Sequence, residues 1–392
     1  MLNFLSDDIR RNPFDIYEQI RSLSPLLHDP ATDLWMLFDY DSVYRVLTDH
    51  ETFSSKHGPD WIVFTDPPRH TKLRALVSKA FTPRSIDNLE PRIRRLCADL
   101  LDQVGEREEI DLAADLSVQL PTMVIAEMLG IPLEDRPRCT RWNDVILNMS
   151  YTIGRHDEEA TRAHSEFLAT TAEMDTYLGA LLDQRRLAPK DDLLTRLAQA
   201  EVDGDRLTHS EILGFFQGLL LAGSETTTNL INNAMVLLLD NPDQLALLRQ
   251  RTDLLPSAIE EALRYRSPLQ WMYRKTRRDT VVHGQVVPAG KLILAMIGSA
   301  NHDPKQFREP RRFDITRDPN PHIAFGHGIH FCIGAPLARI ETKIALGDLL
   351  RRFDHLEYAE SEPWQPRRAL HIHGPNRLPI RVKSASSSTV AV

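Results

Sequence analysis

The run Phe325-Gly326-His327-Gly328-Ile329-His330-Phe331-Cys332-Ile333-Gly334-Ala335-Pro336 sets one cysteine between glycines and the start of an apolar helical pattern. A helix tolerates proline only in its first turn, so Pro336 puts Cys332 at a helix start. Free N–H groups and the helix dipole favour an anion there, in this case a thiolate. The glycines let the backbone approach a flat ligand and aim N–H groups at the sulfur, which lowers a thiol pKa and tunes the potential of a bound metal. An isolated cysteine also reads as a small buried apolar residue, and Cys97 and Cys139 are read that way. Gly326-x-Gly328 is not a dinucleotide loop, because Phe331 stands where the third glycine belongs and no strand precedes it.

A second constellation is Ala222-Gly223-Ser224-Glu225-Thr226-Thr227, where small residues interrupt an apolar run and an acid and hydroxyls follow. Glycine weakens a helix by about 1 kcal/mol relative to alanine, and hydroxyls compete for backbone carbonyls, so a kink or widened turn is expected. A carboxylate beside a hydroxyl can organise water and deliver protons. Taken alone, such a turn reads more readily as a packing feature.

Glu261 and Arg264 lie three apart, and Glu260 lies four before the same arginine; either acid reaches it on one helical face. Spacing alone leaves this an exposed pair worth about 0–1 kcal/mol. Asp66-Pro67-Pro68-Arg69-His70-Thr71-Lys72-Leu73-Arg74 places His70 and Arg74 four apart on one face.

Together these segments resemble the cytochrome P450 family. Phe325, Gly328, His330, Cys332 and Gly334 match its haem-binding signature, and Ala222 to Thr227 match its oxygen-groove pattern at every position. The Asp66 to Arg74 segment and the Glu261-x-x-Arg264 motif also match, with Arg312 in the place of the third network partner. Ala300-Asn301-His302-Asp303-Pro304 and Phe313 to Pro319 keep the family's order, so the resemblance covers the whole chain.

The resemblance implies a haem b with Cys332 as the iron's axial ligand, Glu225 and Thr226 as the catalytic proton-delivering pair, and His70, Arg74, Arg274, Phe325, His330 and Gly334 around the haem. Buried propionates need cationic, hydrogen-bonding partners, the role it gives to His70, Arg74, Arg274 and His330. Glu261, Arg264 and Arg312 become a structural network behind the pocket. The substrate positions are Trp61, Ile62, Val63 and Phe64, then Gly218, Leu221 and Ala222, then Leu269, Gln270, Trp271, Met272 and Tyr273, and last Ile372. Their apolar and aromatic character implies a hydrophobic small molecule, hydroxylated or epoxidised with one atom of dioxygen. Only ten residues separate Ser55 from Asp66, which predicts a comparatively open entrance.

No fused flavin- or nicotinamide-binding domain is expected, so electrons should come from a separate ferredoxin or flavodoxin and, through it, from NAD(P)H. Lys72, Lys79, Arg84, Arg339 and Lys343 are expected near the cysteine face, where they would steer an acidic donor. A peroxygenase, an isomerase or dehydratase, and a haem sensor are the rival readings. The acid-alcohol pair argues against all of them, since peroxide users of the family usually carry Arg-Pro there.

The elements that must position these groups are mostly helical. Apolar residues recur at helical spacing between about Pro83 and Asp240, with breaks expected at Pro121, Pro132, Pro189 and Asp203-Gly204. Thr208-His209-Ser210-Glu211 has capping-box spacing, and Asn241-Pro242 stops a helix of about thirty residues. Leu26 to His28 and Leu34 to Phe38 read as strands between helices at Pro13–Leu23 and Asp41–Leu47. Val281-Val282, Val286-Val287 and Leu292 to Leu294 read as one small sheet. The expected architecture is one large, mainly α domain over 1–383 with a small β region, the cytochrome P450 fold, and a disordered Ser-rich tail over 384–392.

The 392 residues are 42% hydrophobic with a formal net charge of -8, which argues against nucleic-acid binding. Three scattered cysteines write no disulfide framework. The stretch Ile212 to Gly223 falls short of the roughly 20 apolar residues that span a bilayer. A cytoplasmic monomer without a membrane anchor is expected.

Overall fold

The computed structural model describes residues 6–57, 61–151, 157–362, 364–367, 369 and 371–384. Thr208 caps the long helix His209–Asp240 by accepting from the Glu211 N–H, and the Glu211 side chain returns to the Thr208 N–H, completing the capping box. At 32 residues this helix is about 48 Å long. Its residues from Thr227 to Leu238 are all buried, polar Asn229, Asn232 and Asn233 included, which marks a helix running through the core rather than over it.

Around it pack Gln119–Met128, Glu158–Leu187, Leu255–Tyr265 and Ala335–Arg352. Pro121 does not break a helix as expected: it sits in the first turn of Gln119–Met128, where its missing N–H costs little. Pro132 and Pro189 do follow helix ends, and Asp203-Gly204 turns a two-stranded hairpin with φ of 52° and 79°.

The larger sheet has five strands. Leu26–Asp29 pairs antiparallel with Leu34–Leu37, which runs parallel to Leu292–Ala295; that strand pairs antiparallel with Met272–Thr276, and Phe53–Ser54 closes the edge. The expectation for the segments after residue 280 needs correction. Thr280–Val282 and Gln285–Val287 form their own hairpin, turned by His283 and Gly284 with positive φ of 48° and 73° as a twisted two-residue turn requires. Leu292–Ala295 leaves them for the five-stranded sheet, because its buried face fits between Trp35 and Arg274. Ile293 lies opposite both, so the strand carrying Arg274 is held inside the sheet.

Phe353–Tyr358, Pro379–Ser384 and Glu109–Asp111 form a second sheet. Ser384, assigned to the tail from sequence, pairs with Phe353 instead; residues 385–392 lie outside the described residues. No described helix is long and apolar enough to cross a membrane.

Candidate active site

The Cys332 loop is folded by its own backbone. The Cys332 N–H donates to the Phe325 carbonyl (3.0 Å) and the Phe331 N–H to the Gly328 carbonyl (3.0 Å). Gly328 has φ of 73°, and a Cβ on it would come within 3.1 Å of the Leu47 carbonyl oxygen, so only glycine fits. Gly334 caps the helix Ala335–Arg352, with Pro336 in its first turn, so Cys332 precedes the cap by two residues. Burial pushes the Cys332 thiol up, against the N–H groups of Gly334 and Ala335 and the charges of Arg74 and Arg339, which pull it down. The residue as a whole is half-buried.

Beside it gather the groups expected around a haem. Arg74, on the helix Arg69–Ala80, donates through Nη2 to the Phe331 carbonyl (2.8 Å) and so ties that helix to the cysteine loop. His70, one turn earlier, faces His330 with ring centroids 4.2 Å apart, and the Nε2 atoms of both are buried with no hydrogen-bond partner among the described residues. Burial, then the charge of Arg74, pulls His70 down to about 4; burial, then His70, Arg274 and Arg74, pulls His330 down to about 3. Arg274 is buried, and desolvation lowers it to about 10, with Asp66 as its opposing charge. Four cation-capable side chains, of which the two arginines depress the two histidines and both histidines carry orphaned nitrogens, make a site that calls for an anion beside a thiol. The residues present therefore fit a haem with its two propionates.

Glu225 and Thr226 are placed differently from each other. The Thr226 hydroxyl donates to the Ala222 carbonyl (2.6 Å), while Glu225 is buried and accepts from Asn229 Nδ2 on its carboxylate (2.8 Å) and its carbonyl (2.7 Å). Arg367 Nε lies 3.3 Å from the Glu225 carboxylate. The widened turn expected here is absent, and the α-helix runs through 222–227 unbroken. A Cβ on Gly223 would come within 2.6 Å of the Ile125 side chain, so the helix Gln119–Met128 packs closely on this turn. Ala222 stays exposed in the middle of a helix otherwise largely buried, as a residue facing an internal cavity would.

Behind the pocket, Glu261 and Arg264 are both fully buried and bonded twice, at 2.8 Å each. The third partner is corrected. Arg317 Nε donates to both Glu261 oxygens at 3.1 Å, whereas the Arg312 side chain is 59% exposed and offers the network only its backbone carbonyl, which accepts from Arg264. Asn320 and the Asp314 N–H complete the carboxylate's shell.

On the substrate side, Trp61 stacks on Phe64 (6.0 Å, 20°), lies over Gly218 and donates from Nε1 to Gln217. Leu269 and Ile372 pair across an isolated bridge, and Leu221 is half-buried beside Ala222. Trp271 packs toward the sheet cluster of Phe14 and Phe38, with its ring 6.2 Å from His371. Gln270 is not in the pocket: it is buried, bonds Tyr17 and the Ser267 carbonyl, and presses on Gly298, where a Cβ would come within 2.1 Å of it. In the short interval before Asp66 the described residues form only the turn Ile62–Phe64; residues 58–60 lie outside them. Of the basic residues expected to steer a partner, Arg339 is engaged by Glu260 through two 2.7 Å bonds, and Lys72 and Lys79 are bonded to Asp205 and to the Glu201 carbonyl.

Sequence reasoning missed Asn229, Gln217, Arg317 and Arg367. Asn229 was within reach, four residues after Glu225 on one helix. Arg317 and Arg367 carry no local signal, because their partners lie 56 and 142 positions away in the chain.

The family model described as Cytochrome P450 matches residues 27–378. The chain belongs to the cytochrome P450 family. It is 41% identical over 384 residues to cytochrome P450 109 of Bacillus spizizenii, covering 96% of this chain and 93% of that protein. It is 40% identical over 351 residues to the cyclomarin C epoxidase CymV of Salinispora arenicola, 86% of this chain and 88% of that one. The crystal structure of CYP109E1 from Bacillus megaterium in complex with corticosterone superposes with a TM-score of 0.89 at 40% identity, over 95% of this chain and 99% of that chain. The cytochrome P450 fold and a haem cofactor follow, and the chain is a P450 monooxygenase that hydroxylates or epoxidises its substrate.

Proposed function

We propose that Cys332 would hold the haem iron as a thiolate, with Arg74, Arg274, His70 and His330 receiving the propionates and Phe325 and Gly334 shaping the loop. The observation that carries this is the cluster of four cation-capable side chains beside a half-buried cysteine whose sulfur faces two backbone N–H groups. When bound, the haem supplies an iron at which dioxygen is split, and a thiolate ligand favours O–O cleavage. Glu225 is the acid that brings protons in from the Arg367 side, and Thr226, on the same turn, holds the proton donor's water toward Ala222. Asn229 and Arg367 keep the Glu225 carboxylate oriented.

The substrate is a hydrophobic small molecule received between Trp61, Phe64 and Gly218 on one side and Leu269 and Ile372 on the other; the corticosterone held by CYP109E1 makes steroids the first class to screen. Electrons come from NAD(P)H through a separate ferredoxin or flavodoxin, with the protein working as a cytoplasmic monomer. The reduced, carbon monoxide-treated protein tests the ligand: Cys332→His is expected to keep haem while losing the thiolate spectrum and the dioxygen-dependent activity. Full activity in that variant would overturn the assignment. Turnover with peroxide alone, unchanged in Glu225→Ala and Thr226→Ala, would overturn the proton-delivery roles.

A further inference from the structure

Gln217 is a buried amide one position before Gly218 on the long helix, and it touches two other elements. Its Oε1 accepts from Trp61 Nε1 at 3.3 Å, and its Nε2 donates to Thr171 Oγ1 at 3.3 Å, on the helix Glu158–Leu187. One side chain thus joins the turn at 61–65, the central helix and a second long helix. The Trp61 indole lies on Gly218, 3.7 Å from where a Cβ would stand, and stacks on Phe64. The turn is internally braced, with the Phe64 N–H on the Trp61 carbonyl at 2.8 Å and the Thr65 hydroxyl on the same carbonyl at 3.0 Å. Trp61 and Phe64 therefore form one braced plate, and Gln217 supplies the polar contact that holds the plate to the helix.

We propose that Gln217 is a positioning residue that latches the Trp61-Phe64 plate against Gly218 and sets the rate at which a hydrophobic molecule passes it. The inference rests on the reading of Trp61, Phe64 and Gly218 as pocket wall. The indole N–H and the amide need each other: a buried polar group left without a partner is costly, so the closed position is favoured while both are present. Opening breaks one neutral hydrogen bond and one stacking contact, and removing the bond raises the open population about three- to tenfold.

The test uses the haem-loaded protein in four forms: wild type, Gln217→Leu, Trp61→Phe and the double variant. Hydrogen exchange of the 61–65 segment reads the latch, and stopped-flow uptake and release of phenylimidazole, an aromatic ligand for haem iron, reads passage. Each single variant is expected to speed exchange and both rates about three- to tenfold with little change in affinity, and the double variant no more than the larger single effect, because both remove the same bond. A purely structural role would lower affinity or haem content instead. Unchanged exchange in Gln217→Leu, or effects that multiply in the double variant, overturns the latch. Faster exchange with unchanged rates shows that the plate does not gate passage and overturns the proposal. A wild-type protein that holds haem but takes up no phenylimidazole overturns the pocket reading, while the exchange data still decide the latch.

Discussion

Replacing Arg317 by alanine tests the network behind the haem pocket. The Glu261 carboxylate is fully buried and accepts from Arg264 twice, from Arg317 on both oxygens, from Asn320 and from the Asp314 N–H. Arg317 also donates to the carbonyls of Arg308, Glu309 and Arg312, so it holds the 308–317 loop as well as the acid. Breaking a buried pair by removing one partner costs about 3–5 kcal/mol; Arg264 still compensates the acid, so the low end, about 3 kcal/mol, is expected. Arg312→Ala is the control. Its exposed side chain reaches Glu309 only at 3.9 Å, and such a contact is worth about 0.5 kcal/mol or less. Urea unfolding followed by tryptophan emission and haem absorbance measures both variants. Equal losses in the two, or a larger loss in Arg312→Ala, would refute the assignment of Arg317 as third partner.

Two further outcomes follow from single side chains. Gly218→Ala should leave the Trp61 plate in place, since the added Cβ makes ordinary contact at 3.7 Å, whereas Gly218→Leu should displace it and weaken binding of hydrophobic ligands about tenfold or more in spectral titrations; equal behaviour of the two would count against the plate. Glu341 is fully buried with both oxygens unpartnered among the described residues, and burial raises its carboxyl well above the ordinary 4.5. The stability linked to its neutral form is complete below about pH 4.5 and is lost as pH rises toward the folded value, at most on the order of 1.4 kcal/mol per pH unit. Glu341→Gln should therefore gain stability relative to wild type as pH rises above about 4.5; parallel curves in urea titrations over that rise would contradict this.

The local features were legible because neighbouring residues decide them. The capping box at Thr208 and Glu211, the first-turn Pro336 after Gly334, the tight turn at His283-Gly284 and the loop around Cys332 all depend on backbone sterics and hydrogen bonds within a few positions. Family motifs carried the fold and the chemistry further, since residue order and spacing are properties of the chain itself. Tertiary structure decided the rest. It chose Arg317 over Arg312 for Glu261, turned Gln270 onto Tyr17, brought Arg367 to Glu225, set Trp61 on Gln217, and sent Leu292–Ala295 to pair with Leu34–Leu37. Each is a contact between distant segments whose side chains have several chemically suitable partners. Which one is met depends on how the buried surfaces pack, and a buried polar group then keeps whichever partner packing brings to it.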